Sequence, residues 1–193
     1  MSRVAIQNLP TVFTHADAQA LGISDRTLSQ LRHDGEIDRL ARGIYAHPDL
    51  AANPDFVEIA VRAPKATLCL TTALAHHELT DDIPQSTNAA LPRQQRSPKT
   101  AAPVTWHRFD NRTFSIGRDS LPLTDQLAIG LYNPIRSIID AYRLAHLYGI
   151  DQAHEALKRW LHQRGNQPSE LLAMTKDFPT AEPTIRTTLE TLL

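Results

Sequence analysis

The sequence predicts an α+β fold: an N-terminal winged helix-turn-helix followed by a larger α+β domain that ends in a helical bundle. Three observations predict it. Two helix-length runs, each behind a capping residue and each ended by a glycine, occupy the first 35 positions. Two short extended runs with a basic tip follow them. After a polar, proline-punctuated middle, apolar residues recur at three- and four-residue spacing from Ile135 onward.

In chain order, Thr14 stands three residues before Asp17, an acidic variant of the capping box in which each side chain satisfies an orphan backbone donor. The helix it opens, 15–21, stops at Gly22, which suits a left-handed cap. Ser24 is the next N-cap, for a helix over 25–33 that ends before Gly35. The link Leu21-Gly22-Ile23-Ser24 has the length of a helix-turn-helix connection. Residues 37–40 and 44–46 flank Ala41-Arg42-Gly43 as the two strands of a small hairpin.

A break over 47–54 separates a first domain, 1–50, from a second, 51–193. Asn53 and Pro54 open a helix near 55–63 that Pro64 closes, and another helix is expected over 72–79. The middle, 81–134, holds four candidate strands: 88–91, 104–109, 113–116 and 127–131. Ile135, Ile138, Ile139, Tyr142 and Ala145 then build one apolar stripe that Gly149 ends. Ala153, Ala156, Leu157, Trp160 and Leu161 repeat it as far as Gly165, and short helices follow over 169–176 and 184–192. Tyr142, Tyr148 and Trp160 read as core aromatics.

Composition excludes several classes. Among 193 residues, 41% are hydrophobic and 21% charged, which argues against disorder. Twenty Lys and Arg against 21 Asp and Glu leave a net charge of −1, so any grip on phosphates must come from a local patch rather than from a generally basic chain. The first 54 residues, with Arg3, Arg26, Arg32, Arg39 and Arg42 against six acids, need their arginines segregated from those acids. The lone Cys69, in an apolar run, excludes an internal disulfide and a Cys-based zinc site and reads as a buried, inert thiol. The start has no signal-peptide pattern and no run of 18 apolar residues occurs, so a soluble cytoplasmic protein without a membrane partner is expected.

At about 100° per residue the helix over 25–33 puts Leu28 and Leu31 on one face and Arg26, Ser29, Gln30 and His33 on the other. Those are the residue types a major-groove reader uses: Arg grips guanine O6 and N7, and Gln grips adenine N6 and N7. Thr27 on the same helix and Arg39 and Arg42 on the hairpin complete the candidate DNA-contacting set. A solvated surface helix would show a similar face, so the weight lies on the caps, the short turn and the basic hairpin tip taken together. A second basic group, Arg93, Arg96, Lys99, Arg108, Arg112 and Arg118, meets only Asp110 over 92–118 and suits extra nucleic acid or an acidic protein surface, or simply a solvated loop.

Catalytic and metal patterns are missing. His76-His77-Glu78 are helix neighbours that point apart, and His154 and His162 lie eight positions apart, so neither set converges on one ion. No HExxH, GxSxG, GxxxxGK[ST] or GxGxxG occurs, and no acid–acid–Lys nuclease core is read after the first domain. No metal, no cofactor and no enzymatic activity are expected.

The run FTHADAQALGISDRTLSQLRHDGEIDRLARGIYAHP resembles the N-terminal winged-helix module of AbiEi-type antitoxins. The likeness rests on Phe13-Thr14, Leu21-Gly22-Ile23-Ser24, Gly35 and, most specifically, Ala41-Arg42-Gly43-Ile44-Tyr45. It continues more weakly through 72–79, through Asn133-Pro134-Ile135-Arg136-Ser137-Ile138-Ile139-Asp140 and through Glu155-Ala156-Leu157. The resemblance implies an antitoxin of a two-gene system that binds inverted repeats in its own promoter, as a dimer or as paired monomers, and represses it. It also implies a C-terminal domain that counteracts a nucleotidyltransferase-like toxin. Two other readings stay open: a winged-helix regulator whose second domain senses a ligand or a protein, and, ranked last, an enzyme acting on the toxin or on a nucleotide.

Overall fold

A computed structural model describes residues 9–193; the first eight, with Arg3 and most of the start that carries no signal pattern, lie outside the described residues. The fold is mixed α+β with helices at its C-terminal end. Among the described residues no helix is long and apolar enough to cross a membrane.

The chain divides into two compact units. The first takes residues up to Pro64 together with Pro98–Ala102 and Leu121–Ile129; the second takes Lys65–Ser97, Pro103–Ser120 and Gly130–Leu193.

In the first unit, β1 (Val12–Thr14) leads directly into α1 (His15–Ala20). The capping box forms as the spacing predicts: Thr14 Oγ1 accepts from the Asp17 N–H at 3.2 Å, and the Asp17 carboxylate accepts from the Thr14 N–H at 2.8 Å. Gly22 turns the chain at φ +75°. Ser24 Oγ then accepts the Thr27 N–H and opens α2 (Asp25–His33). β2 (Asp38–Ala41) and β3 (Ile44–Ala46) form the expected hairpin. β1 adds to it antiparallel, making a three-stranded sheet in the order β1-β3-β2. Three residues are too few to show a strand period, which is why β1 has no signature in the sequence. Phe13, Ile23, Leu28, Leu31, Ile37 and Tyr45 form the core of this unit. α3 (Pro54–Arg62), capped by Asn53, packs on β2, so this unit runs on to Pro64 rather than stopping at residue 50.

A five-stranded sheet runs in the order β6-β5-β4-β8-β7, formed by β4 (Thr67–Leu68), β5 (Thr87–Pro92), β6 (Val104–Phe109), β7 (Arg118–Pro122) and β8 (Ala128–Tyr132); the second unit holds β4, β5 and β6 whole and, of β7 and β8, residues 118–120 and 130–132. β4 pairs antiparallel with β5 and parallel with β8, and β5 pairs parallel with β6. The segment over 113–116, expected as a strand, is a turn. Its Thr113 and Ile116 carbonyls are taken by the Arg136 guanidinium at 2.6 Å each, so they serve no ladder. The third strand of the middle is β7, immediately after that turn. The helix expected over 72–79 is α4 (Leu70–His76): it stops early because Glu78 takes φ +59° and the Leu79 N–H folds back to the Leu74 carbonyl at 2.8 Å.

The C-terminal helices are α5 (Pro134–Arg143), α6 (Ala145–Tyr148), α7 (Ile150–His162), α8 (Pro168–Thr175) and α9 (Glu182–Leu192). α4, α7 and α8 pack on α5, and Trp160 and Tyr142 are buried among them. Tyr148 is only partly buried, where its hydroxyl donates to the Asn88 side-chain oxygen at 3.0 Å.

Arg136, fully buried, organises this unit. It pairs with Asp140 at 3.0 Å, and its guanidinium carbon lies 4.1 Å from the Tyr132 ring centre and 4.5 Å from that of Phe178. Gly117, at φ +67°, is required beside it, because a Cβ there would fall 2.6 Å from the Arg136 Cβ. Truncation by Arg136→Ala leaves the buried Asp140 carboxylate with Arg143 as its remaining cationic partner and empties the space between Tyr132 and Phe178; it is expected to cost about 3–5 kcal/mol in urea unfolding. Acid will also weaken this unit. His77 and His107 are held below the ordinary histidine range by burial, and each donates from Nε2, to the Tyr132 carbonyl and to the Asn88 oxygen respectively. The folded state thus resists protonation where the unfolded chain accepts it. The stability contributed by the neutral rings is complete above about pH 6.5 and is lost as the pH falls below it. Replacing both by Gln should flatten the fall in melting temperature between about pH 7.5 and 5.5.

Candidate nucleic-acid interface

α2 divides along its length. Leu28 and Leu31 are buried, while Arg26, Ser29, Gln30 and His33 are all exposed. Gln30 is engaged with its own helix, donating from Nε2 to the Asp34 carboxylate at 2.9 Å. That bond spans one turn at the surface and costs little to exchange for a base. Thr27 differs from the others. It is half-buried, and its hydroxyl lies 3.0 Å from Ser24 Oγ, so its first task is at the helix cap.

The hairpin presents Arg39 and Arg42, both exposed. A register shift between Arg39 and Ala41 kinks β2, and Gly43 makes the turn at φ +76°. The tip is tied from two sides. The His15 N–H donates to the Gly43 carbonyl at 2.9 Å, and Arg62 donates from Nη2 to the Arg42 carbonyl at 3.0 Å. A short basic tip is therefore held by its own backbone and leaves the Arg42 side chain outside.

Glu58 stands behind this arrangement. Its side chain is 3% exposed, and it accepts from Arg62 Nε at 2.7 Å and from the Ala101 and Ala102 N–H groups at 2.9 and 3.2 Å. Burial works against its charge, but the bonds from Ala101, Arg62 and Ala102 outweigh burial and keep the carboxyl below its usual range. The two backbone bonds also explain why Pro98–Ala102 belongs to the first unit and carries Lys99 with it.

Ser29 and Arg32 of α2, Arg39 and Arg42 of the hairpin and Arg62 of α3 line one cavity of about 600 Å³. Asp25 is the acid among its lining residues, 2.6 Å from His15. Three arginines of the first 54 positions, Arg32, Arg39 and Arg42, are thus gathered at one place together with Arg62. Arg32 and Arg62 are absent from the candidate set read from the sequence. Arg32 sits on the flank of α2 rather than on its outer face; the i,i+4 pair of Glu58 and Arg62 is legible in the sequence, but the burial of the carboxylate is not.

The second basic group is divided between the two units. Arg93, Arg96, Arg108 and Arg112 are exposed in the second unit, whereas Lys99 belongs to the first. Arg118 is half-buried, donates to Thr67 Oγ1 at 2.7 Å and lies over Gly130, where a Cβ would fall 2.5 Å from its Nη2. Arg112 is engaged with Asp110. Cys69 is fully buried, and burial pushes its thiol up, away from the reactive thiolate. Among the described residues no group of three or more His, Cys, Asp or Glu side chains is gathered for a metal ion.

No curated protein matches the chain. Residues 5–48, which cover β1 through the hairpin, match the family described as transcriptional regulator, AbiEi antitoxin, and over that segment the chain is similar to that regulator domain.

Proposed function

We propose that this chain is an antitoxin-type repressor. Its first unit binds inverted repeats in its own promoter, and its second unit counteracts a nucleotidyltransferase-like toxin. The observation that carries the DNA-binding half is the exposed row Arg26, Ser29, Gln30 and His33 on a capped helix beside a hairpin whose basic tip is fixed by its backbone. The regulator family matched by residues 5–48 supports the same reading. In this mechanism α2 enters the major groove with Arg26 and Gln30 at base edges, Arg42 on the hairpin meets the adjoining backbone, and Ser29, His33 and Arg39 fix the register. Thr27 contributes through the cap that sets the first turn of the helix. Binding is the whole of the activity; no bond is made or broken.

The four exposed arginines of the second unit, Arg93, Arg96, Arg108 and Arg112, suit an acidic partner surface, which fits a toxin contact. A second reading, a regulator whose second unit senses a ligand, draws on a cavity of about 610 Å³ lined by Ile150, His154, Thr188 and Leu192. Co-expression with the neighbouring gene separates the two. Rescue from a toxic neighbour supports the first reading, and a neighbour that is harmless both with and without this chain removes the antitoxin half.

Arg26→Ala and Gln30→Ala are each expected to weaken operator binding by about 1–3 kcal/mol and to relax base preference. A mobility shift at fixed salt, on DNA from upstream of the chain's own gene, measures both effects. Wild-type affinity and preference in both variants would remove α2 as the reading helix.

A further inference from the structure

The outer face of α2 accounts for Arg26, Gln30 and His33, but Ser29, Arg39 and Arg42 also line a cavity on its flank together with Arg32 and Arg62, which no DNA contact above uses. Four guanidiniums from three separate elements line it, and Asp25, the acid on its wall, is already engaged with His15. Among the described residues neither Arg32 nor Arg42 gives its guanidinium to any protein acceptor. Arg32, Arg39 and Arg42 have no ion pair among the described residues, and cations gathered in a walled cleft focus a positive potential, while the arginine fork matches phosphate oxygens two at a time. Arg62 is the pre-set member: Glu58 holds its Nε, and the Arg42 carbonyl holds one amino group.

We propose that this cavity is a clamp for the phosphate backbone of duplex DNA, in which Arg32 and Arg62 hold phosphate oxygens between α2 and the hairpin. Glu58 is its positioning residue, aiming Arg62 and, through the Arg42 carbonyl, fixing the hairpin tip. The clamp rests on the duplex-binding reading above and adds to it two arginines and a carboxylate outside the base-facing set. It binds any sequence, because phosphates are the same everywhere; it sets the depth and register at which the outer face meets the bases.

The test uses the full chain and a mixed-sequence duplex, with affinity followed as salt rises from about 50 to 200 mM. Each lost phosphate contact lowers the steepness of log K against log salt by about 0.9, so R32Q and R62Q should each lose about 3-fold less affinity over that range than wild type does. R62K, which keeps the charge, should restore most of the slope, which a purely structural role for Arg62 would not require. E58Q should weaken binding in the wild-type background but add nothing to R62Q; an equal loss in both backgrounds would make Glu58 structural only. Arg32 makes no side-chain bond within the protein among the described residues, so R32Q tests the clamp even if R62Q does not fold. Unchanged slopes in R32Q and in every folded Arg62 variant overturn the clamp and leave the duplex reading standing. Loss of inorganic pyrophosphate binding in R32Q with an unchanged DNA slope also overturns it, in favour of a small-anion site. Failure of wild type to bind either the mixed duplex or its own upstream DNA removes the duplex reading itself.

Discussion

A carboxylate taken out of water must be compensated in full, and the first unit is arranged around that demand at Glu58. Its partners come from different stretches of chain: a guanidinium on the same helix and two backbone amides from Pro98–Ala102. Satisfying the charge fixes where each partner goes. Arg62 is turned so that it reaches the Arg42 carbonyl, and the tip of a hairpin too short to hold itself becomes rigid. An isolated two-stranded hairpin is marginal in water, so a third strand and these tip bonds are what make it a usable surface.

The second unit meets the same demand with the sign reversed. Arg136 is buried completely and is matched by Asp140, by two turn carbonyls and by the faces of Tyr132 and Phe178. Its Nη2 finds no hydrogen-bond partner among the described residues, and the aromatic faces contribute the remaining stabilisation. The cost of this device is a shape that tolerates no side chain at Gly117. In both units a buried ion thus ties together segments distant in sequence.

The proposed DNA-binding surface lies in a region whose net charge is close to zero. Several of its acids are engaged locally. Asp17 completes a capping box, Asp34 holds Gln30, Asp25 meets His15, and Glu58 is buried. Arg32, Arg39, Arg42 and Arg62 line one cavity, and Arg26 is exposed on α2. In the proposed duplex binding, affinity depends on where the arginines are placed rather than on total charge.

What could be read from residues alone were the locally encoded features. Thr14, Ser24 and Asn53 announce their helices because a cap bonds within three positions of itself, and the polar row on α2 follows from a fixed angular step. Val104–Phe109 shows as a strand because six residues are enough to display its character. Features that join distant residues were not legible. The turn over 113–116 resembles a strand in its composition and is a turn because an arginine some twenty positions later takes its carbonyls. Likewise Lys99 follows Pro98–Ala102 into the first unit, and Arg32 and Arg62 meet across a cavity, only because the chain folds back on itself. Hydrogen bonds and charges act over a few ångströms in space, and sequence spacing records those distances only where the chain between them is a single helix or turn.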